Sequence, residues 1–307
     1  MVKAVERAHV IGAGTLQIFS DNPTTWRRRA TPPSDLAAFR DALTAHDLGP
    51  IAIHASYLVN LAGPEPTFFE RSIELLADEL RVAPGFRARY VNVHVGSHRE
   101  RGVDAGVARV ADGIARVLAL ADDGRGLDED APILVLENSA GSGFGLGTDV
   151  TSLAAIAEAV AARGVAARRV GFCLDAAHAW GAGIDLSDPA ALDAFLDEFD
   201  DRIGLDRLVM VHLNDSKVER GSNLDRHEHL GAGRIGEAGL AHLVTHPRLA
   251  GATYYLETPG MDEGYDAVNV ARAYDLAAGR PLATLPPEAM TVRGSRARTA
   301  PRAAEPA

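Results

Sequence analysis

A single α/β domain closed as a TIM-type (β/α)8 barrel is the fold this 307-residue sequence predicts. Three observations carry it. Short, nearly continuous β-branched and apolar runs recur along the chain, as in strands buried on both faces of a parallel sheet. Ala- and Leu-rich stretches with apolar residues at i, i+3 and i+4 lie between them. Polar residues of one chemical kind collect where the apolar runs end, as they would if all strand ends met on one rim.

Seven strands are visible in order: "GTLQIF" (14–19), "IAIHASY" (51–57), "ARYVNVHV" (88–95), "ILVLEN" (133–138), "VGFCLD" (170–175), "LVMVHLND" (208–215) and "TYYLET" (253–258). Helices are expected at "FFERSIELLADEL" (68–80), "AGVARVADGIARVLALA" (105–121), "SLAAIAEAVAARG" (152–164) and "PAALDAFLDEF" (189–199). Strand and helix alternate, which calls for βαβ units. One strand of an eight-fold barrel is missing from this count, leaving two strand edges to be satisfied otherwise. Residues 1–282 read as one catalytic barrel domain. Residues 283–307, rich in Pro, Ala, Arg and Gly without periodicity, read as a disordered tail.

Composition narrows the function classes. The chain is 47% hydrophobic and 24% charged, ordinary for a globular protein. Its one cysteine, Cys173, excludes a disulfide framework and a cysteine-based zinc site, in keeping with a reducing cytoplasm. No apolar run is long enough to span a membrane, and no signal core opens the chain. The formal net charge of −11 argues against nucleic acid as a partner. That objection weakens if bound divalent cations sit where contact is made, because they reverse the local sign.

The strand ends supply the chemistry. His54, His94, His98, Glu137, Asp175, His178, His212, Asp215 and Glu257 all fall there, and the stretch "LDRHEHLGAG" (224–233) adds Asp225, His227 and His229. Any one of these histidines is ordinary as a hydrogen-bonded loop or core residue. Together they would crowd mutually repelling carboxylates around one rim, which is costly unless the groups bind metal. Carboxylate and neutral imidazole are the oxygen and nitrogen ligands of zinc. Five His, two Glu and two Asp suit three metals at three protein ligands each, with one carboxylate able to bridge a pair. Closely spaced metals suit hydrolysis of a phosphate ester.

The stretches "HASYLVNLA", "NVHVGSH", "LENSAG", "GFCLDAAHAWGAGIDL", "VHLNDSK", "GSNLDRHEHLGAGRIG" and "LETPG" resemble, in order, the motifs of the endonuclease IV family of apurinic/apyrimidinic endonucleases. The resemblance implies a (β/α)8 barrel with a trinuclear zinc site that cuts damaged double-stranded DNA 5′ to abasic sites in base excision repair, leaving a 3′-hydroxyl, and trims blocked 3′ ends. It implies that His54, His94 and Glu137 hold one zinc. Glu137 bridges to a second, completed by Asp175, His212 and Glu257, and His178, Asp225 and His227 hold the third. Glu137 and Glu257 are thereby placed at the reacting centre. Tyr57 and Leu58 match the residues the family inserts into the minor groove, the alternative being that they pack under the rim. Asn22 and Trp26 lie in the preceding DNA-facing loop, where Thr24 and Thr25 replace the usual basic or long polar residue and Arg27–Arg29 follow as compensation. His98 and His229 are either phosphate-facing residues behind the ligands or structural packing.

The chain departs from the pattern in lacking the opening βα unit, and in Val95 and Ala177. Two rival readings stand beside the nuclease: a single-metal sugar isomerase or dehydratase using Glu137, Asp175, His212 and Glu257, and an inactive truncated remnant. A cytoplasmic monomer is expected.

Overall fold

The computed structural model describes residues 1–123 and 131–292. Within the expected tail of residues 283–307, Pro287–Thr291 forms a 3-10 turn that buries Ala289, and residues 293–307 lie outside the described part. The turn is held from the barrel side, since His229 donates to the Ala289 carbonyl and Arg272 to that of Ala283.

Helix α1 (Val2–Val10) leads to β1 (Leu16–Ile18), then α2 (Leu36–Ala45), β2 (Ile51–His54), α3 (Pro66–Val82), β3 (Ala88–His94), α4 (Val103–Asp122) and β4 (Ile133–Glu137). There follow α5 (Val150–Ala161), β5 (Val170–Asp175), α6 (Ala176–Ala182), α7 (Pro189–Arg202), β6 (Leu208–His212), the short β7 (Asp215–Ser216) and β8 (His227–Glu228), α8 (Gly236–Thr245), β9 (Thr253–Tyr255) and α9 (Tyr265–Ala277). The seven main strands form one parallel sheet in the order β1-β2-β3-β4-β5-β6-β9, and β7 pairs antiparallel with β8. All seven expected strands are present, several shortened by their last residues.

Helix starts follow local chemistry. Glu65 caps α3 by accepting from the Thr67 and Phe68 amides, with Pro66 at the first position where no amide donor is needed. Asp188 and Pro189 do the same for α7, and Asp149 caps α5 through the Ser152 amide.

The ladder does not run from β9 back to β1. Side chains cross that interval: Tyr255 donates to the Pro50 carbonyl at 2.8 Å and Gln17 to Glu257 at 2.8 Å. Outside it, Arg7 of α1 pairs with Asp266 of α9. The two edges flagged by the sequence are thus joined by polar side chains rather than by strand pairing.

Strand alternation sorts the side chains into two layers. Leu134, Leu136, Phe172, Leu174 and Val211 face outward into the main core beneath the helices. Ala52, Val135, Cys173, Met210 and Tyr255 face inward and fill the barrel below its mouth. Two residues further along the same strands, with the same parity, stand His54, Glu137, Asp175, His212 and Glu257. Period two therefore aims the functional groups into the mouth.

Candidate metal centre

Glu137 is the hub. It ends β4, is fully buried, and pairs in register with His94 of β3. Its Oε2 lies 3.6 Å from His54 Nε2 and 3.5 Å from His94 Nε2. Its Oε1 lies 3.0 Å from His178 Nδ1 and 3.4 Å from His212 Nδ1. His212 Nδ1 is also 3.6 Å from Asp175 Oδ2 and 3.5 Å from Glu257 Oε2. On the far side, Asp225 lies 3.4 Å from His178 Nε2 and 3.1 Å from His227 Nε2, with Asp175 Oδ2 3.7 Å from the latter.

All nine residues singled out as ligands converge on this mouth. Their donor atoms fall into three groups within 4.8 Å: His54, His94 and Glu137; Glu137, Asp175, His212 and Glu257; and Asp175, His178 and His227. The first two are the sets read from the sequence. In the third, Asp175 stands where Asp225 was expected, while Asp225 touches both imidazoles of that group. Local structure makes this possible: Asp175 caps α6 by accepting from the His178 amide at 2.7 Å, folding His178 back over its own strand end.

The residues fit cations. Glu137 Oε1, His212 Nδ1 and His227 Nε2 are buried and make no hydrogen bond. Buried polar atoms are nearly always satisfied, so three such atoms in one mouth, the first two 3.4 Å apart and the third 3.7 Å from Asp175 Oδ2, mark a place built for another partner. Three imidazoles have their other nitrogen engaged: His54 Nδ1 donates to the Ala55 carbonyl, His178 Nδ1 to that of Asn138 and His227 Nδ1 to that of Glu257, which leaves each Nε2 to the mouth.

Electrostatics record the same crowding. Burial alone would raise Glu137 and Asp175, but the facing imidazoles override it and hold Glu137 well below the usual carboxylate range. Burial would lower His178 and His212, yet the surrounding carboxylates hold both well above an ordinary imidazole, and His227 is raised to about 9. Protons on these rings occupy the counter-charge role that a metal would take over.

Four amides that orient the acids were not singled out from the sequence. Asn92 donates to Glu137 Oε2 at 2.5 Å, and Asn214 donates to Asp175 Oδ2 at 2.7 Å while accepting from the Glu257 amide. Asn138 brackets the Asp175 backbone, accepting from its amide at 2.6 Å. Gln17 reaches from β1, donating to Glu257 Oε1 and accepting from His212 Nε2 at 3.1 Å. Asn92 and Asn214 share the inward parity of the ligands, a signal the sequence does contain.

The remaining rim residues have structural roles. His98 accepts from the Gly102 amide and packs on Phe144, and His229 lies between Asn269 and Ala289, so neither faces the cluster. Asp215, buried, accepts from the amides of Ser216, Gly233 and Ile235 and so closes the loop that carries Asp225 and His227. A Cβ at Gly233 would stand 2.5 Å from Asp215 Oδ1, which explains why that loop ends in glycine.

Tyr57 is half-exposed at 49% and stands 5.8 Å from the His54 ring, while Leu58 packs against the core. Asn22 accepts from the Thr24 amide and hydroxyl, shaping its own turn, and Trp26 packs on Phe68. Of the basic run, Arg28 pairs with buried Glu79 at 3.0 Å and Arg29 with Asp21 at 3.2 Å.

The family model described as a xylose isomerase-like TIM barrel matches residues 5–279. "Probable endonuclease 4" of Methanoculleus marisnigri is 42% identical over 275 residues, covering 90% of this chain and 94% of the relative. The protein of the same name from Halothermothrix orenii is 37% identical, covering 89% and 95%. The crystal structure of endonuclease IV from Thermus thermophilus superposes with a TM-score of 0.76 at 38% identity, over 91% of this chain and 94% of that one. No helix among the described residues is long and apolar enough to cross a membrane. By descent and by fold, the chain belongs to the endonuclease IV family of xylose isomerase-like barrels.

Proposed function

We propose that this chain is a zinc-dependent apurinic/apyrimidinic endonuclease that hydrolyses the DNA phosphodiester 5′ to an abasic site, with trimming of blocked 3′ ends. The observation that carries the reading is the set of buried atoms without a hydrogen bond on Glu137, His212 and His227, all within reach of the carboxylates of one mouth. Three zinc ions account for all nine residues. His54, His94 and Glu137 would hold one; Glu137, Asp175, His212 and Glu257 the next; and His178, Asp225 and His227 the last, with Asp175 close by. Bound there, zinc would supply Lewis acidity, bringing water toward a neutral pKa and offsetting the charge of the phosphodiester.

The chain's own groups orient that chemistry. Asn92 and Asn214 hold the Glu137 and Asp175 carboxylates, and Gln17 holds Glu257 and His212. The Glu257 side chain is 28% exposed, against 0% for Glu137, so entering water would reach the ligand set at Glu257 first. Tyr57, exposed beside His54, would fill the gap left by a lost base. An acidic chain can meet DNA at this mouth because the cations would reverse its sign there.

The test is a duplex carrying one abasic site. Incision on its 5′ side, abolished by a chelator and restored by zinc, is expected. About one metal equivalent per chain with aldose–ketose conversion and no incision would establish the isomerase reading instead.

A further inference from the structure

Helices α7 and α8 pack side by side in the outer layer of the barrel. Leu192, Phe195, Leu196 and Phe199 of α7 and Leu240 and Leu243 of α8 turn inward. Toward the outside, Asp193 of α7 and His242 of α8 meet His246, the buried residue that follows α8 in extended backbone. His246 Nε2 lies 2.9 Å from Asp193 Oδ1, His242 Nε2 lies 3.8 Å from the same oxygen, and the ring centroids are 5.3 Å apart. One donor atom from each of the three residues lies within 4.8 Å of the others.

Packing accounts for His246, which is buried and caps the following turn through the Arg248 amide, but it does not require Asp193 and His242 to turn toward that ring. The informative atom is His242 Nε2. The side chain is 31% exposed, yet this nitrogen is buried and makes no hydrogen bond. It is turned into the cluster instead of toward water, an orientation that leaves a polar atom unsatisfied without a further partner.

We propose that Asp193, His242 and His246 form a divalent-cation site separate from the barrel mouth. Two imidazoles and a carboxylate select a borderline late first-row ion, zinc above all, over magnesium or calcium. Three protein ligands leave one position for water, which the exposed Asp193 keeps accessible. The site rests on neither the metals nor the reaction at the mouth.

Protons balance through the His246 ring. Without a cation, Nε2 donates to Asp193 and Nδ1 accepts from the Arg248 amide at 3.3 Å. Coordination at Nε2 moves that proton to Nδ1, so the long Arg248 bond is exchanged for the metal bond. The cation would tie α8, which follows the loop bearing Asp225 and His227, to α7.

Calorimetric titration of the metal-loaded 307-residue protein with zinc, beside His242→Gln, Asp193→Asn and Asp225→Ala, tests this. The wild type should take up about one zinc more than His242→Gln or Asp193→Asn. Asp225→Ala should retain that zinc, and unchanged incision of abasic DNA by His242→Gln serves as the fold control. In histidine nitrogen-15 spectra, His246 should pass from Nε2–H to Nδ1–H as the zinc binds. Equal zinc uptake by wild type and both outer-helix variants, loss of the extra zinc in Asp225→Ala, or an unchanged His246 tautomer would overturn the site.

Discussion

Two layers of the barrel interior, one residue pair apart on the same strands, behave as opposites. The lower layer, Ala52, Val135, Cys173, Met210 and Tyr255, is apolar and closed, its one polar tip satisfied by the Pro50 carbonyl. The upper layer, His54, Glu137, Asp175 and His212, is equally buried but ionisable, and two of its atoms lack any hydrogen bond. Burial is therefore not what distinguishes them. The lower layer is complete as folded, whereas the upper layer is complete only with a ligand, and its cost in the bare chain is what makes it recognisable as a site.

The sharpest way to break this contrast is Glu137→Ala. Because Glu137 faces four imidazoles, its loss should reduce abasic-site incision by well over the roughly 10–100-fold typical of removing an outer partner of a metal ligand. Tyr57→Ala should be far milder, weakening binding of the abasic duplex by about 1–3 kcal/mol, as for loss of one stacking contact. Equal losses in steady-state incision assays would remove Glu137 from its central place. Next comes Gln17→Leu, which frees His212 Nε2 and Glu257 Oε1 together. Metal affinity should fall by roughly 10–100-fold, measured by competition with a chromophoric chelator, while the melting temperature of the chelated protein changes little. Unchanged affinity would reduce Gln17 to a strut between β1 and β9.

Met210→Ala probes the lower layer. It should cost about 2–5 kcal/mol of stability in denaturant titrations and leave metal stoichiometry as it was. Loss of metal without loss of stability would show that the two layers are not separable.

The smallest effect is a pH dependence. His227 is raised from 6.5 to about 9, with His178 and His212 raised in the same direction. A raised imidazole stabilises the folded state fully below its unfolded pKa, and the contribution is lost as pH climbs through the folded value. Chelated protein should therefore melt at falling temperature from about pH 6.5 to 9, whereas zinc-loaded protein, its imidazoles coordinated and unable to protonate, should not. A flat profile for the chelated form would contradict the charge arrangement described for the mouth.

Much was legible from the chain alone because two periodicities and one chemical repetition coincide in it. All seven strands and four long helices were legible, since an apolar run buried on both faces can hardly be anything else in this alternating pattern. That His54, His94, Glu137, Asp175, His212 and Glu257 would meet was legible because ionisable groups at the ends of apolar strands are costly to bury unless a counter-charge meets them there. Less was legible where a residue's role depends on distant neighbours. The sequence left His229 between facing phosphate and structural packing, and it turns to Ala289 and Asn269, sixty and forty positions away. The turn at Pro287–Thr291 was not legible either, since it has no periodicity of its own and is held by barrel side chains.

What sequence by itself determined, then, was parity and type: which residues point inward, and that their donor atoms are oxygen and nitrogen. Only the tertiary structure decided their grouping. Asp175 approaches the His178–His227 pair, amides from four separate segments orient the acids, and Gln17 joins strands that share no ladder. The reason is physical: strand alternation is a local property of the backbone, whereas which donors come within coordinating distance depends on how seven strand ends, far apart in the chain, are registered around one axis.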